Sequence, residues 1–360
     1  MSTTTLTCTE PPFAVAVQPD IGYHPDEAKW KERTARRLSE DPSLPNTPLP
    51  DGFPSQVLGP IVWEGKDWEC EDQWVYTLSE EQLREIDFGL NHFKGKLDSI
   101  YDRCCLDLAM GFVGKNTFPL PTLSTVLQDL ARELYSGRGF FVLRTIPIEK
   151  YTREELFIIY AGISSHVGTA RGRDKTLQAS SWRTSKTSPS AMHKRRAGSA
   201  TPRIPATSRS FIPTSGTSLH SETAAEGGTS RISSGGRIYN ELAATRPDLI
   251  KTLSEPWPLD SFGGTPSYTT RPLLYHVAVN GESKVVFQYS RRHFTGYGPQ
   301  KRNPDIPPIT EAQAEALDAI HFLAEKYTLG LNFQKGDIQY INSLGLLHAR
   351  DGFRDSPDKA

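Results

Sequence analysis

Side chains that could do chemistry are few and scattered along this sequence. The four cysteines are Cys8, Cys70, Cys104 and Cys105, and their spacing matches neither a metal-type C-x-x-C pair nor a disulfide framework. The Ser-Gly-Gly at 234–236 lacks the strand–turn–helix context of a phosphate loop. His348 follows a predicted strand and a short loop, and Ser230 follows a Gly-Gly pair. Taken alone, each has an ordinary interpretation: a satisfied structural histidine and a loop hydroxyl that caps a backbone group.

The composition is that of a globular chain with no bulk attraction to nucleic acid or to an anionic membrane. Its 360 residues suffice for one large domain or two ordinary ones, and the formal net charge is −1. The first twenty residues have no basic segment before a short apolar run, so no signal peptide is expected. No apolar stretch approaches the length of a membrane span. Together with the cysteine pattern, these features predict a cytoplasmic protein and leave its oligomeric state open.

Local sequence signals predict both helices and strands. Capping boxes at Ser79–Gln82, Thr152–Glu155 and Thr310–Gln313 predict three helices, and Thr245 with Pro247 and Asp248 predicts a shorter one over DLIKTLSE. A further helix is predicted over STVLQDLAREL, at 124–134. Strands are predicted at Gly139–Arg144, Lys284–Tyr289 and Asp337–Asn342, the last with clean alternation. These elements predict a mixed α/β domain with a mostly β core.

The chain divides into an N-terminal segment and a larger domain. Residues 1–60 are rich in Pro, Thr and charge, and they are interpreted as a weakly ordered arm or an extended wrap over the domain surface. Residues 61–360 then form the domain. Three tryptophans near its start, Trp63, Trp68 and Trp74, are interpreted as surface-to-core packing, with a ligand cage as the alternative.

Four strings in this domain carry a family resemblance. They are GRGFFVLRTIPI at 137–148, IIYAGISSHVG at 158–168, ETAAEGGTSRISSGGRIYNELAATRPDLI at 222–250 and, most specifically, KGDIQYINSLGLLHARDGFRD at 335–355. Together they resemble the taurine dioxygenase/TfdA-like family of Fe(II)- and 2-oxoglutarate-dependent oxygenases, in a fungal form. The resemblance implies a double-stranded β-helix core, a jelly roll of the clavaminate synthase-like kind, with flanking helices. It runs from about residue 60 to the end with one gap.

The resemblance also implies an iron site. In this family a His-x-Asp pair and a distant second histidine hold the iron, which leaves three positions for 2-oxoglutarate and O₂. His348 matches the second histidine, and Ser230 matches the hydroxyl that helps to hold 2-oxoglutarate. An arginine a dozen or more residues after the second histidine would grip the far carboxylate of 2-oxoglutarate. Arg350 and Arg354 come too early to match, so the jelly roll is predicted to be incomplete, with a truncated C-terminus.

The His-x-Asp pair is missing from its expected place. It should stand about twenty residues before Glu226, but residues 205–222 contain no Asp, and their one histidine is His220. From Thr176 to Ser221 there is no acidic residue at all, where ordinary composition would supply about five. Residues 177–220 are therefore predicted to be a disrupted, low-complexity insert.

Three interpretations of this insert are open. It is a disordered low-complexity segment, or a basic nucleic-acid-binding segment, for which its two aromatics, Trp182 and Phe211, are too few to form a stacking platform. The favoured hypothesis is a frameshifted or misspliced segment. An allowed coding of Phe211–Thr214, moved back by one nucleotide, reads Phe-His-Thr-Asp, which contains the missing pair. Ser181–Pro189 likewise permits Val-Leu-Ala-His-Ile-Lys-Asp-Leu-Thr.

The resemblance implies oxidation of a small organic substrate by O₂, with 2-oxoglutarate decarboxylated to succinate and no nucleic-acid or membrane partner. Because Ile212-Pro-Thr214 stands where the pair is expected, the chain as printed should bind iron poorly and have little or no activity. The alternatives are a catalytically inactive remnant or non-enzymatic binding protein, and an ordinary domain with a phosphorylatable Ser/Thr-rich loop. His276 and His293 are interpreted as structural positions unless they complete the iron site.

Overall fold

The helices flank and interrupt the strands along the chain. The computed structural model describes residues 17–100, 111–168, 216–219, 226–279 and 282–354. The helices are α1 Glu27–Glu40, α2 Glu80–Ile100, α3 Leu123–Tyr135, α4 Arg153–Val167, α5 Gly235–Thr245, α6 Pro247–Ser254, α7 Arg292–Thr295 and α8 Glu311–Lys326. No described helix is long and apolar enough to cross a membrane.

The strands are short and come mostly from the second half of the chain. They are β1 Val75–Thr77, β2 Phe140–Arg144, β3 Gly216–Leu219, β4 Glu226–Gly227, β5 Ser230–Ser234, β6 Trp257–Asp260, β7 Tyr268–Arg271, β8 Leu274–Val279, β9 Glu282–Phe287, β10 Leu329–Leu331, β11 Ile338–Ile341, β12 Leu346–Arg350 and β13 Phe353–Arg354. The mixed α/β prediction is confirmed. β3 lies inside the segment predicted to be a disrupted insert, and the rest of that segment lies outside the described residues.

The three predicted capping boxes are present and begin α2, α4 and α8. In the box of α4, the Thr152 hydroxyl accepts from the backbone N–H of Glu155 at 3.3 Å, and the Glu155 carboxylate accepts from the Thr152 N–H at 2.8 Å. The same reciprocal bonds join Ser79 to Gln82 and Thr310 to Gln313. These helix starts could be predicted because both partners lie within four residues of sequence.

The helix predicted over DLIKTLSE is present as α6, but Thr245 does not cap it. Thr245 is the last residue of α5, and its hydroxyl donates to the Glu241 carbonyl one turn earlier. The residue before α6 is Arg246, and Pro247 occupies the first helical position, where its missing N–H costs nothing. Two helices therefore meet at Arg246 where the sequence indicated one helix and its cap.

Two sheets form the β core. A four-stranded sheet has the order β1-β2-β11-β3, and a three-stranded sheet has the order β10-β5-β12. In the first, β1 pairs parallel with β2, while β11 pairs antiparallel with β2 and β3. In the second, β5 pairs antiparallel with both neighbours. Separate two-stranded pairs are β4 with β13, β6 with β7 and β8 with β9.

The inner faces of the two sheets pack together through one apolar cluster. Ile341 and Val142 contribute from the four-stranded sheet, and Ile232, Leu331 and Leu346 from the other. Side chains alternate between the faces of a strand, so these residues identify which face of each sheet is inward. The arrangement is a sheet-on-sheet core whose interior is accessible to side chains from β5, β11 and β12.

The three tryptophans pack at one end of this interior, as the core-packing interpretation predicted. Phe140 is their common partner, with ring centroids 5.5 Å from Trp63, 5.6 Å from Trp68 and 6.3 Å from Trp74. Trp63 and Trp74 are buried, and the Trp63 indole N–H donates to the Arg138 carbonyl at 3.0 Å. This packing leaves the ligand-cage alternative unsupported.

Helices cover the outer faces of both sheets. α2, α3 and α4 pack on the four-stranded sheet around Phe141 and Leu143. α5, α6 and α8 form a second cluster with β8, β9 and Leu347 of β12. As a result β11 is buried on both faces, and even Gln339 is buried. The strand predicted over Asp337–Asn342 is present as β11. Helices cover its Ile338 and Tyr340 side, and the three-stranded sheet covers the side of Gln339, so no side of the strand faces water.

Residues 17–60, predicted as a weakly ordered arm or an extended wrap, contain α1. Asp26 caps this helix by accepting from the N–H groups of Ala28 and Lys29. Arg33 on α1 is buried against α8, where it donates to Asp318 at 2.8 Å. Leu49 and Phe53 farther along the segment pack against the cluster that contains α8.

Candidate functional site

His348 lies on the inward face of β12. It pairs directly with Ile232 of β5, and residues directly opposite in an antiparallel pair share a face. Ile232 and Leu346, two positions before His348, both belong to the inter-sheet cluster, whereas Leu347 packs with the helices outside. The half-buried His348 imidazole is therefore directed into the space between the sheets.

Ser230 shares that face, at the start of β5. It pairs with Arg350 of β12 and Leu331 of β10, so it is the diagonal neighbour of His348, at about 7 Å between Cβ atoms. Ser230 is buried, and its hydroxyl lies 3.3 Å from Nε2 and 3.4 Å from Oε1 of Gln339 on the facing sheet. The structure thus brings both predicted site residues to one place and adds Gln339.

The Gly-Gly pair before Ser230 is required by backbone geometry. Gly227 and Gly228 have φ values of 71° and 75°, in the left-handed region that favours glycine. A Cβ on Gly227 would lie 2.3 Å from the Gly352 carbonyl oxygen. This close approach lets β4 pair with β13 immediately before the chain enters β5 beside β12. The two glycines therefore set the position of Ser230.

Contacts on the outward face hold β5 and β12 in place. The Ser233 hydroxyl donates to the Ala324 carbonyl of α8, about 2.5 Å away, in a buried contact. Arg231 donates through Nε to both carboxylate oxygens of Asp351, at 2.8 and 2.9 Å. The inward residues Ser230 and His348 consequently lie on strands that are fixed from behind.

The two arginines after His348 have local partners. Arg350 donates through Nε to the Gly228 carbonyl at 3.2 Å, and its guanidinium lies 4.2 Å from the Phe353 ring centroid. Arg354 is exposed and lies 3.8 Å from the Glu226 carboxylate. The backbone of Arg350 is directly opposite Ser230 in the ladder, while its exposed side chain lies at Gly228 and Phe353.

His276 and His293 lie elsewhere. His276 is on β8, where Nε2 is 3.2 Å from the Ser283 hydroxyl across the hairpin. His293 is on α7, where Nδ1 bonds to the Asp260 carbonyl at 2.8 Å, and burial lowers its pKa. Both fit the structural roles expected of them, and neither contacts His348 or Ser230 through any hydrogen bond found in the described residues.

A complete iron site is not formed by the described part of the chain. An iron of this kind needs two imidazoles and a carboxylate converging on one point. Within the described ranges no group of three His, Cys, Asp or Glu side chains could hold a metal ion. The expected pair positions, 212 and 214, lie outside those ranges and carry Ile and Thr, which are not iron ligands. The residues described here thus supply one imidazole, and they do not fit the metal as a full ligand set.

The fold is a jelly roll of two facing sheets with helices on their outer faces. Its interior holds an internal site with a histidine, a serine and a glutamine. The family model described as "Taurine catabolism dioxygenase TauD, TfdA family" matches residues 106–359. The chain belongs to this family. The predicted family and its jelly-roll core are confirmed, and the class is that of dioxygenase-type oxidoreductases that depend on Fe(II) and 2-oxoglutarate.

Two relatives are similar over most of this chain, and one solved structure shares its fold. The chain is 32% identical over 304 residues to the "Taurine hydroxylase-like protein SAT17" of Stachybotrys chartarum (strain CBS 109288 / IBT 7711), covering 81% of this chain and 74% of that protein. It is 22% identical over 313 residues to the FR-33289 synthase of Streptomyces rubellomurinus (strain ATCC 31215), covering 84% and 86%. An asparagine oxygenase solved with Fe(II), 2S,3S-3-hydroxyasparagine and succinate shares the fold, with a TM-score of 0.53 and 13% identity over 79% of this chain and 90% of that one.

Gln339 is the site residue that sequence reasoning missed. It stands in the most specific family string, but nothing in its local pattern distinguishes it from an outward-facing polar residue on a half-buried strand. The available signal was the alternation of side chains along β11. Gln339 and Ile341 are two residues apart and share one face, and that face is inward.

Proposed function

We propose that this chain is an Fe(II)/2-oxoglutarate-dependent dioxygenase by descent that acts on a small organic substrate and O₂, and that the sequence as printed is catalytically impaired. The observation that carries the proposal is the position of His348 between the two sheets, with no second and third ligand among the described residues. In this reading His348 is the remaining iron ligand. Ser230 is the hydroxyl that holds the co-substrate.

The face shared by these residues supports the assignment of the site. Ser230 offers a hydroxyl next to His348, and Gln339 fixes that hydroxyl from the opposite sheet through a contact of 3.3 Å. Apolar residues of both sheets surround this polar group, so the interior can exclude water from a bound small molecule. Fe(II) and 2-oxoglutarate supply the oxidative chemistry in this family, and the chain contributes position and a dry interior.

The impairment follows from ligand number. One imidazole is a weak ligand set for Fe(II) when three donors are needed to hold the ion and leave positions open for co-substrates. Ile212 and Thr214 occupy the places where the second imidazole and the carboxylate are expected. The described residues of the printed chain do not make up the ligand set that the oxidation requires.

Three matched proteins test this proposal. The first is the printed chain, the second carries Ile212→His, Pro213→Thr and Thr214→Asp, and the third adds His348→Ala to the second. We expect less than stoichiometric iron and no succinate above background from the first. The second should bind about one Fe(II) per chain and form succinate from 2-oxoglutarate, and the third should lose both properties. Anaerobic Fe(II) titration and NMR detection of succinate are the measurements.

A tightly bound, stoichiometric iron in the printed chain would refute the impairment. Equal iron binding by the second and third proteins would refute the role of His348. Because three substitutions leave the rest of the insert unchanged, a further protein carries residues 177–220 translated in the neighbouring frame. The nucleotide sequence itself decides the frameshift hypothesis: codons that do not spell the family strings in that frame end it.

The second candidate function is a non-enzymatic binding protein or inactive remnant, which the incomplete ligand set favours. It predicts that neither repaired protein gains iron or succinate formation, while the chain remains folded by circular dichroism. A cytoplasmic location and the absence of nucleic-acid and membrane partners are parts of the main proposal. The balanced net charge of −1 supports the absence of such partners.

A further inference from the structure

The Gln339 amide is a buried polar group on the inward face of the four-stranded sheet. Gln339 is 6% exposed and lies directly opposite Val142 of β2 in the ladder. Val142 and Ile341, the latter two positions along β11, both belong to the apolar cluster between the sheets. The amide therefore projects from an apolar wall into the interior that also holds Ser230 and His348.

One hydroxyl is the only hydrogen-bond partner of this amide among the residues that the structure describes. Ser230 Oγ lies 3.3 Å from Nε2 and 3.4 Å from Oε1 of Gln339, so the amide is side-on to the hydroxyl. Both distances exceed the usual range for hydrogen bonds of these kinds. An amide offers two N–H donors, whereas a hydroxyl accepts one of them and has a single proton to give. At least one N–H of Gln339 is therefore left without an acceptor in the described interior.

This unused N–H points to a ligand or an ordered water in the interior. A buried donor without an acceptor is energetically costly, so such groups in folded proteins are almost always met by protein, ligand or water. Ile232 and Leu331 on the facing sheet are apolar and cannot accept from the amide through their side chains. Because Ser230 lies beside Gln339, a ligand that contacts the Ser230 hydroxyl also comes within reach of the amide.

We propose that the Gln339 amide binds 2-oxoglutarate by donating a hydrogen bond to one of its carboxylates beside the Ser230 hydroxyl, a role that rests on the function proposed above. A carboxylate accepts several hydrogen bonds, and bonds to a charged acceptor are stronger than bonds between neutral groups. In the proposed function Ser230 already holds the co-substrate. Its hydroxyl then donates to the carboxylate and accepts from Nε2 of Gln339, so the amide and the hydroxyl act as one pair of donors.

Uncharged donors suit this position. An amide and a hydroxyl carry no net charge, so their burial between apolar sheets avoids the larger cost of burying an unpaired charge before the ligand arrives. The two arginines on the neighbouring strands are engaged elsewhere: Arg231 donates to Asp351, and the exposed side chain of Arg350 lies at Gly228. Gln339 is thus the described side chain that adds a second donor to Ser230.

A purely structural role for Gln339 predicts a different result. As a bridge between the two sheets, the amide would contribute to the free energy of unfolding and leave the affinity for 2-oxoglutarate unchanged in any variant that still folds. As a ligand-binding residue, it contributes to that affinity and not to the affinity for Fe(II). The two dissociation constants, measured separately, therefore distinguish the two roles.

The test uses the full chain repaired by Ile212→His, Pro213→Thr and Thr214→Asp, with and without Gln339→Met. Methionine keeps the length of the side chain and removes both N–H groups. Fe(II) and then 2-oxoglutarate are titrated anaerobically by calorimetry, so no turnover is needed. We expect Gln339→Met to weaken 2-oxoglutarate binding about tenfold or more, because a hydrogen bond to a charged acceptor is lost. The affinity for Fe(II) should stay the same.

The neighbouring residue on β11 provides a matched control. Tyr340 is buried on the opposite face of the strand, where its hydroxyl lies 3.0 Å from the Ser164 hydroxyl. Tyr340→Phe removes a buried hydrogen bond from the same strand, so it should lower stability and leave 2-oxoglutarate binding unchanged. Should Gln339→Met unfold, Gln339→Asn keeps an amide but withdraws it by one methylene, and it should still weaken 2-oxoglutarate binding.

The outcomes separate this role from the proposed function. Undiminished 2-oxoglutarate binding by a folded Gln339 variant that binds Fe(II) as its parent does would overturn the role of Gln339 and leave the proposed function standing. Equal weakening by Gln339→Met and Tyr340→Phe would assign Gln339 a structural role and overturn the proposal as well. A repaired parent that binds neither Fe(II) nor 2-oxoglutarate would end both.

Discussion

Replacing Glu315 on α8 with glutamine should lower the free energy of unfolding by about 3 kcal/mol. The buried Glu315 carboxylate neutralises two arginines, Arg37 and Arg246. Glu315 is 0% exposed. It accepts from Arg246 Nη2 at 3.0 Å and has closer contacts with Arg246 Nη1 and Arg37 Nη1. Burial opposes its ionisation, but hydrogen bonds from Arg246 and Arg37 outweigh burial and hold the pKa of Glu315 below its usual range.

The magnitude follows from the bonds that an amide cannot keep. A glutamine has one acceptor oxygen, so at least one charge-assisted bond is lost, at about 1.5–3 kcal/mol. The new NH₂ group then faces a guanidinium, and Asp248 alone remains as the anion near Arg37 and Arg246. Breaking a buried ion pair by removing one partner costs about 3–5 kcal/mol. The expected destabilisation of about 3 kcal/mol lies at the lower end of that range.

Urea unfolding monitored by circular dichroism measures the effect, with the slope m compared between proteins to confirm that only stability changed. Glu27→Gln is the matched control, because the Glu27–Lys31 pair is exposed and should contribute no more than about 1 kcal/mol. Because the pKa of Glu315 is lower in the folded state, the parent should lose unfolding free energy as pH falls from about 4.3 to that lower pKa. Glu315→Gln has no carboxyl group at this position, so it should lack this part of the acid destabilisation. A destabilisation no larger than that of the control would refute the reasoning.

Three further outcomes are expected. Gly162→Ala should destabilise by about 1–3 kcal/mol, because the new Cβ would lie 2.4 Å from Cγ of the fully buried Phe118; urea unfolding measures it. Phe140→Ala should cost about 3–5 kcal/mol and alter tryptophan fluorescence, since its ring packs against three indoles. Burial lowers the pKa of His166, so its stabilising contribution is present above about pH 6.5 and is lost as pH falls below it. His166→Gln should therefore flatten the decline of unfolding free energy between pH 6.5 and 5, by up to about 1.4 kcal/mol per pH unit.

Each of these outcomes has its own control and its own refutation. Gly95 on α2 has no atom within 4 Å of a built Cβ, so Gly95→Ala should stabilise slightly; equal effects at the two glycines would contradict the steric argument. Phe88 is 55% exposed, and Phe88→Ala should change stability by less than about 0.5 kcal/mol. An unchanged pH profile in His166→Gln would show that His166 is not the titrating group.

Local elements could be read from the sequence because their determinants lie close together. The capping boxes at Thr152 and Thr310 join residues three apart, and both helices begin where predicted. The strand at Phe140–Arg144 and the helix over 124–134 were likewise predicted from short patterns. At Thr245 and Pro247 the sequence pattern predicted a helix with Thr245 as its cap. In the structure Thr245 ends α5 and Pro247 begins α6.

The candidate site was predicted only in part. His348 and Ser230 could be named from the family strings, and their common inward face is consistent with that prediction. Their roles toward iron and 2-oxoglutarate stay predictions, as does the frameshift hypothesis. Gln339 was not predicted, because an exposed and a buried glutamine look alike in sequence. Only the three-stranded sheet packed on the inward face of β11 decides which this one is.

The sequence by itself determined the family, the starts of the three helices with capping boxes, the main strands and the absence of a His-x-Asp pair at its expected place. Those properties depend on residue identity and short spacing. The tertiary structure alone decided which charged groups share a buried environment and which polar groups meet across the sheets. Ser230 and Gln339 are 109 residues apart, and Arg33 and Asp318 are 285 apart. Contacts over such separations arise from how sheets and helices pack, and no local pattern records them.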